Sequence, residues 1–156
     1  MRIACPKQVG ETERRAALVP SVVKKLVGRG VEVVVESGLG DRCHHSDQEY
    51  LDAGATVSPA GDDKVWSSAD LLVTIHCPTR QQVALIEPGA VLIGTLAPLK
   101  HTDVVHDLAE RKVTTFSTEF IPRISRAQSM DVLSSQANIA GYRAVILAAE
   151  HASKMF

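Results

Sequence analysis

The chain's densest set of polar groups is the run Pro122-Arg123-Ile124-Ser125-Arg126-Ala127-Gln128-Ser129-Met130-Asp131, which continues through Val132 and Leu133 to Ser134. Two guanidinium groups, a carboxamide, several hydroxyls and a carboxylate meet there at the expected start of a helix. A loop that exposes such donors beside an Asp acceptor suits a polar heteroaromatic amide such as nicotinamide, which both donates and accepts hydrogen bonds. The same residues also read as a capped helix, with Ser129 as N-cap, Asp131 favoured by the helix dipole and the arginines solvated. Spacing alone leaves both readings open.

Other clusters carry weaker chemistry. Gly38-Leu39-Gly40 follows a strand-like run, as the glycines of a dinucleotide fingerprint do, but Cys43 stands where the third glycine belongs. A tight strand-to-helix loop is the simpler reading. Cys43-His44-His45 and His76-Cys77 bring thiols and imidazoles together. Neighbours on a loop rarely converge on one ion, and separated CxxC or HxxxH pairs are absent, so no metal is expected. His101, His106 and His151 are expected on helices or their ends, facing solvent. The strand-turn-helix setting of G-x-S-x-G is also missing, so no nucleophilic triad is expected.

The elements that would position these residues follow from apolar rhythm. Arg2–Cys5, Val31–Val35, Leu71–Ile75, Ala90–Gly94 and Val113–Phe116 are short apolar runs, each followed by turn or polar residues, and they predict buried parallel strands. Val22, Val23, Leu26 and Val27 form a helical stripe between Pro20 and Gly30. Ser46–Ala53, Thr79–Ile86 and Thr102–Lys112 mix polar and apolar residues at helical intervals, as crossover helices do. The prediction is a doubly wound, mainly parallel α/β domain, Rossmann-like but without a dinucleotide fingerprint, over residues 1–128. A loop at 118–129 leads into a long helix, so that 129–156 forms a second segment. Its Ala137, Ala140, Gly141, Ala144, Ala148 and Ala149 are small, which fits close packing on another element such as a second copy.

Charge and cysteine usage narrow the partners. With 17 basic against 18 acidic residues the formal charge is -1, which offers no field for nucleic acid or an anionic membrane. Cys5, Cys43 and Cys77 are an odd number, consistent with free thiols in a reducing compartment. No run approaches the roughly 20 apolar residues of a membrane span, and no leader is evident, so a cytoplasmic location is expected.

The run from Pro122 to Val145 closely resembles the corresponding loop and helix of the alpha subunits of proton-translocating NAD(P) transhydrogenases. Arg2-Ile3-Ala4-Cys5-Pro6-Lys7, Glu13-Arg14-Arg15-Ala16-Ala17, Val35-Glu36-Ser37-Gly38-Leu39-Gly40 and Ala53-Gly54-Ala55 resemble the opening of the wider alanine dehydrogenase and transhydrogenase superfamily. The resemblance covers essentially the whole chain. It implies a first domain whose long helix leads to an NAD-binding second domain, which is not in this sequence. It also implies that Arg123, Gln128, Asp131 and Ser134 contact the nicotinamide end of NAD(H) held mainly by that second domain. Direct hydride transfer to NADP(H) on another component, proton movement through a membrane component, pairing of alpha subunits and a peripheral position on the cytoplasmic side of the inner membrane are further implications. The domain alone would then be inactive.

Alanine dehydrogenase is the nearest alternative on the same resemblance. Arg15 matches its substrate-carboxylate arginine, but His76 replaces its lysine and Ala97 stands where its catalytic histidine is expected. A non-catalytic dimerisation or regulatory module is the third reading. Two departures from the transhydrogenase pattern are Gln8, in place of a glutamate, and Val19, in place of a small polar residue whose loss as an N-cap costs about 1 kcal/mol.

Overall fold

The computed structural model describes residues 1–7, 10 and 12–154; Gln8 and Phe156 lie outside the described residues. The chain divides into two compact units, Met1–Ser117 and Thr118–Phe156.

The first unit is an all-parallel sheet of six strands, β1 (Arg2–Cys5), β2 (Glu32–Glu36), β3 (Thr56–Ser58), β4 (Leu71–His76), β5 (Val91–Thr95) and β6 (Thr114–Ser117). Their order is β3-β2-β1-β4-β5-β6. The chain therefore winds outward from β1 to one edge, crosses back, and winds to the other edge from β4. Helices α1 (Pro20–Val27), α2 (Asp47–Asp52), α3 (Lys64–Ser67), α4 (Arg80–Leu85) and α5 (Thr102–Glu110) supply the connections. This is the doubly wound, Rossmann-like arrangement expected from the sequence.

Strand alternation sorts the core into two layers. Ile3, Cys5, Val33 and Val35 pack with Val23 of α1 and Tyr50 of α2 on one face. Ala4, Val34, Leu72 and Leu92 pack with Val65, Val83, Val104 and Leu108 of α3, α4 and α5 on the other. Both faces of the central strands are thus covered, which is why they read as continuous apolar runs. Burial of Cys5 pushes its thiol up to about 12, so it behaves as a small inert hydrophobe.

Several local details differ from expectation. Helix α1 starts at Pro20 but ends at Val27, because Gly28 caps it and Gly30 takes a φ of 79° in the turn to β2. Val19 indeed offers no side-chain cap. Helices α2 and α4 begin with reciprocal capping boxes, Ser46 with Glu49 and Thr79 with Gln82.

The second unit contains 3-10 turns at Thr118–Phe120 and Ser125–Met130, followed by α6 (Val132–His151). Its N-cap is Asp131 rather than the expected Ser129. The turn Ser125–Met130 carries the chain past Ser129, and the Asp131 carboxylate is the group that reaches the free N–H groups of the first turn. No residue of α6 is buried, and Ile139, Tyr142 and Val145 are exposed apolar side chains on it. Among the described residues no helix is long and apolar enough to cross a membrane.

Candidate functional site

Arg123, Gln128, Asp131 and Ser134 line one open groove of about 310 Å³, together with Ile124 and Ser125. The 3-10 turn is responsible. The Ala127 N–H donates to the Ile124 carbonyl at 2.9 Å, and the buried Ala127 methyl anchors the turn, so Gln128 and Asp131 face the same hollow as Arg123.

Asp131 organises the floor of this groove. Its Oδ1 accepts from the backbone N–H groups of Leu133 and Ser134, each at 3.0 Å, and its Oδ2 accepts from the Ser134 hydroxyl at 2.6 Å. These bonds, led by the Ser134 hydroxyl and helped by the Arg123 charge, hold the Asp131 carboxyl below the usual carboxylate range. The Ser134 proton is therefore committed inward, and its oxygen presents lone pairs to the groove.

Arg15 belongs to the first unit and sits in a different cluster. The Glu13 carboxylate accepts from Arg15 Nε at 2.8 Å and from Arg15 Nη2 at 2.7 Å, and His76 Nε2 stands 2.6 Å from Glu13 Oε2. The Arg15 fork, followed by its backbone N–H and by His76, brings the Glu13 carboxyl down to about 2. Sequence reasoning passes over Glu13. The available signal is Glu13-x-Arg15, which in a non-helical stretch sets two opposite charges two residues apart. The partnership with His76, 63 positions on, carries no such signal.

The remaining candidates resolve into structure. Gly38 donates its N–H to Asp47 Oδ1 at 2.8 Å, and Ser37 donates its hydroxyl to Oδ2 at 2.6 Å, so a side-chain carboxylate meets the donors that a pyrophosphate would need. Gly40 is required because a Cβ there would stand 2.5 Å from the His45 carbonyl oxygen. Cys43 turns to the Gly40 carbonyl, His45 to Glu49 and His76 to Glu13, so the two thiol and imidazole clusters do not converge. Among the described residues, His106, Asp107 and Glu110 of α5 do lie close enough to share an ion, but Asp107 already takes a two-point bond from Arg80.

Residues 4–140 match the family model described as alanine dehydrogenase/PNT, N-terminal domain. The chain belongs to this family. It is 45% identical over 161 residues to an NAD(P) transhydrogenase alpha subunit of Rhodospirillum rubrum, covering 100% of this chain and 42% of that protein. Among solved structures, a transhydrogenase from Sinorhizobium meliloti superposes with a TM-score of 0.90 at 41% identity, over 99% of this chain and 46% of that one. An L-alanine dehydrogenase superposes with a TM-score of 0.85 at 27% identity, over 96% of this chain and 40% of that one. The chain thus spans less than half the length of these relatives.

Both branches of the family therefore share the fold described above, and they are separated by side chains at its carboxyl edge. His76 ends β4, and Ala97 follows β5 with a φ of 44°, a left-handed backbone unusual for alanine.

Proposed function

We propose that this chain is the first domain of the NAD(H)-handling alpha subunit of an NAD(P) transhydrogenase, and that the Arg123–Ser134 groove orients nicotinamide for direct hydride transfer to NADP on a partner component. In this reading residues 1–128 are the domain proper, and 129–156 lead to an NAD-binding domain that holds most of the nucleotide. The observation that carries the proposal is the donor set of the groove. A nicotinamide carboxamide has one carbonyl to be donated to and an amino group that must be accepted. Arg123 and Gln128 supply donors, while Ser134, its proton held by Asp131, and the remaining lone pairs of Asp131 supply acceptors.

When bound, the nucleotide supplies the hydride itself, so the protein needs no acid, base or nucleophile for that step. The groove's part is to fix ring orientation. Holding reactants at near-attack distance contributes roughly 7–11 kcal/mol to such reactions, and small displacements forfeit much of it. Proton translocation would be the work of other components, and assembly with them would place the domain at the cytoplasmic side of a membrane. The exposed Ile139, Tyr142 and Val145 of α6 support a paired alpha subunit. The alanine dehydrogenase reading is disfavoured by His76 and Ala97, which replace the two groups its chemistry would use beside Arg15.

The test is a titration of the labelled chain with nicotinamide mononucleotide and, separately, with AMP, followed by amide chemical shifts. The mononucleotide is expected to bind weakly and to perturb residues 123–134, with affinity falling about tenfold in Gln128→Ala. AMP is expected to leave these residues unmoved. Perturbation by AMP alone, or shifts confined to the first unit, would overturn the proposal.

A further inference from the structure

The segment ahead of α1 lies over the place where β1 and β4, adjacent in the sheet, send their connections in opposite directions. In open α/β sheets ligands settle at this switch point, in the crevice beyond the carboxyl ends of the strands. Here a carboxylate already stands there, and the chain itself supplies it. Glu13 Oε1 accepts from the backbone N–H and Nε of Arg15, both at 2.8 Å, and Glu13 Oε2 accepts from Arg15 Nη2 at 2.7 Å with His76 Nε2 at 2.6 Å. The planar two-point fork is the geometry by which a guanidinium takes up a free carboxylate.

Burial separates the three partners. The Glu13 side chain is only 9% exposed, whereas Arg15 and His76 are 49% and 51% exposed, so the carboxylate is enclosed and its cations face outward. The backbone is held as well, because the Arg42 guanidinium donates to the carbonyls of Gly10 and Glu13. Beyond His76 the crevice continues for about 160 Å³ among Lys7, Trp66, Thr74 and Gln82. Thr74 is 5% exposed, and its hydroxyl oxygen has no hydrogen-bond partner. Polar groups thus extend past the point that Glu13 fills.

We propose that Glu13 is an internal ligand, filling a carboxylate subsite built by Arg15 and His76 at the switch point, so that this crevice accepts a small free carboxylate only when Glu13 is withdrawn. The chain's own acid stands where a substrate acid would stand. Removing it leaves Arg15 beside His76 and Lys7 with too little negative charge, and a small monocarboxylate is the group that restores both the charge and the fork. Every residue of this subsite belongs to the first unit, so it stands or falls separately from the nicotinamide groove.

The experiment compares the full chain with Glu13→Ala in sodium formate and in sodium chloride at equal ionic strength and neutral pH, following thermal unfolding. The variant is expected to unfold several degrees lower in chloride and to recover at least half of that loss in formate. The wild type and the Glu13→Ala, Arg15→Ala double variant are expected to respond equally to the two salts. Should Glu13→Ala be unfolded in chloride, recovery of its far-UV signal on adding formate is the readout. Formate acting no better than chloride on Glu13→Ala would overturn the proposal, and so would formate binding by the wild type that shifts the Arg15 side-chain resonances.

Discussion

The Ser134 hydroxyl and the Ser134 amide donate to the two different oxygens of Asp131, at 2.6 and 3.0 Å. One carboxylate thereby starts α6 and fixes the direction of the hydroxyl in the groove. Helix capping and ligand presentation can be separated by substitution. Asp131→Ala is expected to lower the helical signal in far-UV circular dichroism, and Asp131→Asn to keep most of it, because an amide oxygen still accepts from the first turn. Ser134→Ala leaves both backbone bonds to Oδ1 in place. It should retain full helicity and still weaken binding of nicotinamide mononucleotide about tenfold. Equal loss of helicity in Ser134→Ala and Asp131→Ala would leave Ser134 a purely structural role.

Glu13 gives the fold an acid limb. Its folded carboxyl titrates near 2, against an ordinary value of 4.5, so the folded state favours the ionised form. That contribution is fully present above pH 4.5 and is lost as pH falls toward 2. Urea unfolding of wild type and Glu13→Gln should therefore differ most near neutral pH and converge as the pH drops through this window. A difference that grows on acidification would contradict the assignment.

Tyr50 is fully buried, and its hydroxyl donates to the Leu18 carbonyl at 2.8 Å, tying α2 to the stretch before α1. Tyr50→Phe keeps the ring and strands the carbonyl. The expected loss is about 1–3 kcal/mol in chemical unfolding. An unchanged midpoint would mean that the Leu18 carbonyl finds another donor.

Ala97 offers a stabilising change. It holds a φ of 44° while its carbonyl accepts from the Lys100 N–H at 2.8 Å and the His101 N–H at 3.2 Å. Glycine adopts this backbone without the Cβ penalty and retains both bonds. Ala97→Gly is expected to raise stability by up to about 1 kcal/mol in the same assay. A lower midpoint would show that the methyl group's contacts outweigh the strain.

The parts of the fold legible in the sequence are those where burial writes a pattern. The runs at Leu71–Ile75 and Ala90–Gly94 predict β4 and β5 because both faces of these strands are covered, leaving no polar alternation to confuse them. Thr56–Ser58 gives no such run. It is a three-residue strand at the sheet edge with no buried residue, and α3 is a single turn of four residues, too short for periodicity to register. The cap of α6 escapes the sequence for a different reason. Ser129 and Asp131 both have capping chemistry, and only the path of the Ser125–Met130 turn selects between them. Arg123, Gln128, Asp131 and Ser134 can be gathered from sequence because they lie within twelve consecutive residues. The Glu13 to His76 contact cannot, since it exists only through the pairing of β1 with β4.

The Asp131 cap also joins two equilibria. A ligand that donates to Oδ2 competes with the Ser134 hydroxyl, whereas one that accepts from Arg123 and donates to the Ser134 oxygen leaves the cap intact and tightens it. Helix α6 runs 20 residues from this cap, about 30 Å at 1.5 Å per residue. Occupancy of the groove is thereby coupled to the fraying of a helical rod, so that amide exchange along its first turn reports on which kind of ligand is present.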